Sequence, residues 1–275
     1  MQVVFERPDI AALRRDHMLV DMHFHSDHSH DCSTPVRDIV AAAEEMSVHL
    51  VITDHNAISG VLEAERLAPG RVFPGVEVTT WEGKDILLYF DDCDALENFF
   101  SREVAPFIRR NKSSLASCRT RLTTHKLFQA VQGRDILVTL PHPFVPGPRR
   151  SYPFFCKHPQ FVQAADCIEV INQVLPHKSN LMAVGWAVQN GKPVTGGSDG
   201  HYLSMLGTAF TACKASNWTE FRREVLEGRA LVMGEERNLR HQLTHVTRML
   251  GEKAKVFQNR PARRRRTGPV GTLDS

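Results

Sequence analysis

Residues 17–25 read HMLVDMHFH, and this stretch determines the fold that we predict for the chain. The apolar residues from Leu19 onward predict a buried strand that ends at His25. Side chains two positions apart in a strand lie on the same face, so His23 and His25 should point the same way. Two neighbouring imidazoles can hold one metal ion, although a His-x-His pair is a weak signal by itself.

Similar apolar runs recur along the chain, and helical patterns separate most of them. The runs are VHLVITDH (48–55), RVFPGVEVTT (71–80), DILLYF (85–90), DILVTLPHP (135–143), CIEVIN (167–172), KPVTGGSDGH (192–201) and GTAFTAC (207–213). Helical spacing covers about residues 35–46, 58–67 and 180–189, and Thr34 is the expected N-cap of the first of these helices. The alternation is typical of parallel strands joined by helical crossovers, and about seven such units favour a closed or nearly closed α/β barrel.

Residue types that bind metals stand at the ends of these strands. They are His23 and His25, then His55, Glu77 and His142, and finally Asp199 with His201. In a parallel α/β barrel, the carboxyl ends of the strands share the face that holds the active site. We therefore expect these remote residues to meet and to hold divalent metal ions. Glu77 supports the same prediction, because a carboxylate in an apolar strand needs a cation or hydrogen bonds to stabilise it. A salt bridge to a core arginine is the alternative.

Five segments, in order, resemble the motifs of the polymerase and histidinol phosphatase (PHP) superfamily: DMHFHSDHSHDCSTP, ITDHN, PGVE, PHP and GGSDGH. The resemblance covers about residues 19–201. It implies a distorted (β/α)7 barrel with the active site at the carboxyl ends of the strands, phosphoester hydrolysis, and a site for two or three divalent ions. It also implies that one ion is held by His23, His25, Glu77 and Asp199, a second by Glu77 and His142, and a third by Asp31, His55 and His201.

Two positions within this resemblance leave alternatives open. Spacing favours Asp31 as the ligand from its loop, with Asp27, His28 and His30 as competitors. Asp85 stands where many members of the superfamily carry a histidine, just before the fourth strand. A carboxylate can replace an imidazole as a ligand of a hard cation. The alternative for Asp85 is an ordinary acid at the start of a strand.

The segment after the fifth strand offers candidates for substrate binding. Arg149 and Arg150 would lie on the active-site face, where guanidinium groups can clamp a phosphate, unless they are simple surface residues. Phe144, Phe154 and Phe155 could stack on a base, although core packing is the commoner fate of phenylalanine.

Length and composition fit one α/β domain of barrel size, or two small domains. The chain has 275 residues, of which 42% are hydrophobic and 24% charged, and its six cysteines include no CxxC pair. Scattered cysteines argue against a disulfide framework or a cysteine-based zinc site, and they suit a reducing cytoplasm. No apolar run is long enough to predict a membrane helix, and the N-terminus lacks the apolar stretch of a secretory signal. We therefore expect a cytoplasmic protein that does not bind membranes.

The net charge of +3 comes from the C-terminal tail. Residues 259–275 carry five arginines and one aspartate, which leaves 29 basic and 30 acidic residues in the rest of the chain. We expect a near-neutral domain over residues 1–258, in which residues 91–134 form a helical excursion or a lid. The tail should be disordered, either simply solvated or in contact with nucleic acid or an acidic partner.

The metal-binding residue types together with the resemblance to the PHP superfamily imply a metal-dependent phosphoesterase. Its substrate would be a phosphomonoester or phosphodiester of a small molecule or nucleotide. The attacking group would be a hydroxide activated by a metal ion, namely manganese, iron or zinc. A nuclease that trims oligonucleotides with help from the basic tail is an alternative. A metal-binding regulatory module with degenerate catalysis is another, which Asp85 keeps open. A carbon–nitrogen hydrolase with a similar barrel fits the order of the motifs less well.

Overall fold

The structure is a computed structural model that describes residues 2–108, 119–147 and 149–235. The strands of this described part all belong to one mixed sheet. They are β1 (Gln2–Val4), β2 (Met18–Phe24), β3 (His49–Ile52), β4 (Val72–Thr79), β5 (Asp85–Tyr89), β6 (Leu137–Leu140), β7 (Cys167–Asn172), β8 (Val194–Gly197), β9 (Ala209–Cys213) and β10 (Leu231–Gly234).

Helices connect most of these strands. They are α1 (Ile10–Leu13), α2 (Val36–Met46), α3 (Ser59–Leu67), α4 (Cys93–Phe99), α5 (Thr124–Val131), α6 (Tyr152–Lys157), α7 (Pro159–Ala164), α8 (His177–Gln189) and α9 (Trp218–Leu226). A π-helical turn (Phe100–Val104) and two 3₁₀ turns (Ala105–Phe107 and Leu203–Met205) complete the set. None of the described helices is both long and apolar enough to cross a membrane.

The strands from β2 to β8 form the wall of a distorted barrel. Strands β2, β3 and β4 are parallel, as are β6, β7 and β8. A parallel bridge between Phe24, at the end of β2, and Gly200, just after β8, brings the two ends of this row together. Strands β9, β10 and β1 extend the sheet beyond β2. The predicted distorted α/β barrel is therefore confirmed.

Strand β5 is antiparallel, so the expectation of parallel strands is wrong at this position. It pairs antiparallel with both β4 and β6. Residues 80–84 alone connect β4 to β5, and a parallel crossover needs a dozen residues or more. The resulting hairpin places Asp85 opposite Thr79, so that β5 begins at the end of the barrel where β4 finishes.

Two apolar clusters cover the two faces of the barrel wall. Leu88 of β5 belongs to the larger cluster and Leu87 to the smaller one, as expected for side chains that alternate across a strand. The larger cluster includes the apolar side of α2, and the smaller one includes Trp218 and Phe221 of α9. The smaller cluster also uses early residues of the parallel strands, namely Val20, Phe73 and Leu137. Helix α9 therefore packs at the opposite end of the barrel from the carboxyl ends of those strands.

Two further expectations concern connecting segments. The predicted N-cap of α2 is wrong, because Pro35 occupies that position and the Thr34 hydroxyl donates instead to the carbonyl of His201, at 2.9 Å. The described parts of the segment 91–134 are largely helical, as α4 and α5 show. Residues 109–118 of that segment and the basic tail 259–275 lie outside the described residues, so the lid and the tail stay predictions.

Candidate metal centre

The predicted ligand residues all lie at one end of the barrel, where β2, β3, β4, β6 and β8 end and β5 begins. The loop after β2 contributes one more residue to this end. Eight of them are buried and one, Asp199, is half-buried: His23, His25, Asp31, His55, Glu77, Asp85, His142, Asp199 and His201. Charged and polar side chains in such number are not buried together without partners that balance them.

Side-chain atoms of four residues form five close pairs that have the spacing of ligands around one ion. The Nε2 atom of His23 lies 3.1 Å from His25 Nε2 and 3.4 Å from Glu77 Oε2, and His25 Nε2 lies 3.5 Å from the same Glu77 oxygen. Asp199 Oδ1 lies 3.5 Å from His23 Nε2 and 3.2 Å from His25 Nε2. Ligand atoms about 2.1 Å from a common ion are about 3.0–3.4 Å apart. The arrangement therefore fits one divalent cation.

Glu77 is the central residue of the cluster, because its two carboxylate oxygens contact different histidines. Besides its contacts with the first group of ligands, Oε2 lies 3.1 Å from Nδ1 of His55. The other oxygen, Oε1, lies 3.1 Å from Nε2 of His142. A carboxylate placed in this way can be shared by two ions.

Asp31 joins the cluster from the loop after β2. Its Oδ2 atom lies 3.5 Å from His55 Nε2 and 3.6 Å from His201 Nε2. Among its competitors, His28 instead contacts Ser59 and Glu63, at 2.7 and 3.0 Å. The side chain of His30 lies on the outer side of this group, 3.7 Å from Asp31 Oδ2, and Asp27 is exposed.

Asp85 gives the sharpest indication that a cation belongs in this site. It is buried, and its ligand atom lies within 4.8 Å of those of His55 and Glu77. The Thr79 hydroxyl donates to its Oδ1 at 2.6 Å, whereas Oδ2 has no hydrogen-bond partner within the described part of the chain. An unsatisfied buried carboxylate oxygen is costly, and a metal ion would satisfy it. The residues present therefore fit divalent metal ions.

Substitution of Asp85 tests whether it is a ligand. We expect Asp85→Ala to weaken the binding of one ion by at least about 10–100-fold. Loss of a residue that only hydrogen-bonds to a metal ligand typically has an effect of this size. Asp85→His should keep the metal content and the activity at the wild-type level or raise them, since imidazole is an equally good ligand. Metal titration followed by elemental analysis measures both. Asp85→Asn is the matched control, because it keeps an acceptor for Thr79 but removes the charge. Unchanged metal content and affinity in Asp85→Ala would show that Asp85 is not a ligand.

Charge compensation sets the pKa values within the cluster. Burial opposes ionisation of Glu77, but the surrounding imidazoles outweigh it and hold the pKa of this carboxyl well below its usual range. Burial likewise lowers the pKa of His55, yet Glu77 and Asp31 raise that pKa to about 10. For His25, burial and the neighbouring His201 lower the pKa to about 4. Metal binding near neutral pH must therefore displace protons, most clearly from His55, and metal affinity should rise with pH.

Glu169, which the sequence patterns did not single out, positions two of the histidines. This buried residue of β7 places Oε1 2.9 Å from His23 Nδ1, and its Oε2 accepts a hydrogen bond from the backbone N–H of His142 at 2.8 Å. Asn172 donates to Glu169 Oε2 at 3.0 Å and to Asp199 Oδ2 at 3.1 Å. Such a carboxylate fixes the ring orientation of a ligating histidine. An acid inside the apolar run CIEVIN was the available signal, the same one that identified Glu77.

The backbone is strained at two of the candidate ligands. His142 has φ 31° and Asp199 has φ 50°, values that residues other than glycine adopt rarely. Both residues lie two positions after the end of a strand, His142 after β6 and Asp199 after β8. Strained residues of this kind concentrate at functional sites.

The two predicted substrate-binding arginines lie in different surroundings. Arg149 Nη1 lies 3.4 Å from Nε2 of His55, so Arg149 stands at the mouth of the metal cluster. The guanidinium of Arg150 lies over the ring of Phe144, 5.7 Å from its centroid, and Arg150 is exposed. Only Arg149 is therefore brought into contact with a candidate ligand.

Comparison with known proteins supports the same fold. Residues 177–230 match the PHP-associated family model, and no curated protein matches the sequence. The structure resembles PsfC from Pseudomonas syringae (17% identity, TM-score 0.58, covering 87% of this chain and 99% of PsfC). It also resembles a two-domain protein from Bacteroides vulgatus that contains a predicted PHP-like metal-dependent phosphoesterase (15%, 0.51, 92% and 74%). A third similar structure is the lesion-specific endonuclease Q from Pyrococcus furiosus (16%, 0.58, 78% and 57%), so this chain spans little more than half of that enzyme.

Proposed function

We propose that the chain is a member of the PHP superfamily and a hydrolase of phosphoester bonds that works with two or three divalent metal ions. The observation that carries this proposal is the group of donor atoms around Glu77. Four of them have the spacing of ligands to one ion, and the second oxygen of Glu77 faces a further histidine. Shared carboxylates between ions are a common design in enzymes that cleave phosphoesters.

The first ion would be held by His23, His25, Glu77 and Asp199, and the further ions by the remaining candidate ligands. Imidazole and carboxylate donors together suit manganese, iron or zinc. When bound, such ions neutralise charge on the phosphoryl oxygens and lower the pKa of a water ligand.

The chain's own residues supply orientation and charge around the ions. Glu169 holds the ring of His23, and Arg149 places a guanidinium at the mouth, where it can attract an anionic substrate. A cysteine nucleophile is not needed at this site. Cys32, whose Sγ donates to the carbonyls of His25 and His201, is buried, and burial raises the pKa of its thiol to about 12.

A nuclease is the second candidate function. The likeness in fold to endonuclease Q favours it, although the chain spans only 57% of that enzyme and the basic tail lies outside the described residues. A nuclease of this kind should lose activity steeply as salt rises, because binding to the phosphate backbone releases counterions. Hydrolysis of a mononucleotide should depend far less on salt.

A phosphoester panel tests the proposed function. Protein reconstituted with manganese, iron or zinc is assayed on nucleoside monophosphates, sugar phosphates, a synthetic phosphodiester and a short single-stranded oligonucleotide. We expect turnover of at least one phosphoester, its loss on chelation, and its return when metal is restored. An N-acyl amino acid in the same panel tests carbon–nitrogen hydrolysis. Full metal occupancy with no phosphoester turnover would contradict the proposal and favour a regulatory module.

A further inference from the structure

Helix α8 is apolar on its outer side as well as on its inner side. Its inner side is buried through residues that include Ala183, Trp186 and Ala187. Along its outer side, several exposed residues have no polar side chain. They are Leu181 (47% exposed), Met182 (39%), Gly185 and Val188 (60%). A helix that is apolar all round is normally buried, so we expect this outer face to be covered.

Helix α8 offers a firm and accessible surface to a partner. On its inner side, the amide of Asn180 accepts from the backbone N–H of Asn172 at 3.3 Å and donates to the carbonyl of the same residue at 3.1 Å. On its outer side, a Cβ atom built on Gly185 would meet nothing within 4 Å. A second helix can therefore approach α8 to the distance of about 8–10 Å between axes that is typical of packed helices.

The described chain ends close to the first turn of α8. Strands β1 and β10 pair in parallel, so Phe5 and Glu235, which follow them, emerge at the same end. The ring of Phe5 lies against the ring of His177, the first residue of α8, with 4.7 Å between the centroids. Arg7, two residues after Phe5, pairs with Glu235 at 3.9 Å. The residues that follow Glu235 therefore begin within reach of α8.

Residues 239–250, which lie outside the described part of the chain, have the sequence pattern of an amphipathic helix. Their apolar residues recur at intervals of four, three and four positions, as Leu239, Leu243, Val246 and Leu250. Asn238 before them and Gly251 after them are typical of the two ends of a helix. Such a helix would be about 18 Å long, against about 20 Å for α8. An isolated helix of this length is marginal in water, so it needs an apolar surface to pack against.

We propose that the outer face of α8 is a docking surface for residues 239–250 of the same chain, which pack on it as a helix through their apolar stripe. Four peptide units join Glu235 to Leu239 and span at most about 14 Å, so the segment can start beside the first turn of α8. A second copy of the chain is the competing occupant. The segment has the advantage that a short tether holds it near α8 at an effective concentration of about millimolar. This inference does not depend on the proposed hydrolase activity.

Hydrogen exchange of the full chain tests this docking. Exchange is followed by mass spectrometry in wild type and in Val188→Asp, which places a charge on the outer face of α8. We expect the backbone amides of residues 239–250 to exchange slowly in wild type and at least about tenfold faster in Val188→Asp, the usual effect of losing one buried aliphatic contact. Leu226→Asp makes the same kind of change at an exposed position on α9 and should leave this exchange unchanged. Fast exchange of the segment in wild type, or equal rates in wild type and Val188→Asp, would overturn the inference.

A photochemical cross-link identifies the occupant. The photoreactive amino acid benzoylphenylalanine replaces Val188, and the full chain is irradiated as an equal mixture of isotope-labelled and unlabelled protein. We expect cross-linked peptides that join position 188 to residues 239–250, with both peptides of each pair carrying the same isotope. Pairs of mixed isotope would show that a second copy covers α8, and cross-links to other peptides alone would show a different occupant. Either result would overturn the inference.

Discussion

Replacing Glu77 with glutamine should nearly abolish activity. The substitution keeps the shape of the side chain but removes the charge that four imidazoles share, those of His23, His25, His55 and His142. An amide is a poor bridging ligand, so at least one ion should bind weakly or be lost. Loss of several kcal/mol of metal-derived stabilisation corresponds to a fall in kcat/KM of about 10³-fold. Kinetics on the best substrate from the panel, with metal analysis of the same sample, measure the effect.

A surface carboxylate provides the control for this substitution. Glu224→Gln makes the same chemical change on α9, where the carboxylate pairs with Arg229 at the far end of the barrel. It should leave activity and metal content unchanged. Wild-type activity and metal content in Glu77→Gln would contradict the central role of Glu77.

The double substitution of His23 and His25 with alanine should remove metal and activity together. Two of the four closely spaced donors of the first group disappear, and Glu77 and Asp199 each lose two of their imidazole partners. Two carboxylates alone hold transition metals far less tightly than a mixed set with two imidazoles. Elemental analysis should show the loss of at least one ion per chain, and turnover should fall to background.

A nearby histidine outside the candidate ligand set controls for this double substitution. His28 lies in the same part of the chain but contacts Ser59 and Glu63, so His28→Ala should retain metal and activity. Circular dichroism establishes that each variant is folded. Full metal content in a folded His23→Ala, His25→Ala protein would refute the assignment of the first group.

The sequence alone predicts the barrel and its active end because one regularity governs both. Buried strands of a parallel barrel must be apolar, and residues just past their carboxyl ends must face the same mouth. His55, His142 and Asp199 each follow an apolar strand closely, so their meeting in space followed from their positions. Glu77 was recognised because a carboxylate within an apolar strand requires a partner.

Other features depend on pairing and packing that no local pattern reveals. The direction of β5 follows from the short connection 80–84, which the apolar run DILLYF by itself does not disclose. Arg149 and Arg150 are adjacent in sequence, and only their packing separates the one near His55 from the one over Phe144.

Metal analysis of the purified protein tests the central claim most directly. The chain is purified without added metal or chelator, and its divalent ions are counted by elemental analysis. A crystal of the same preparation then locates them by anomalous scattering. We predict at least two ions per chain, one of them in contact with His23, His25, Glu77 and Asp199. A folded protein that carries no divalent ion, and takes up none when manganese, iron or zinc is supplied, would contradict the account.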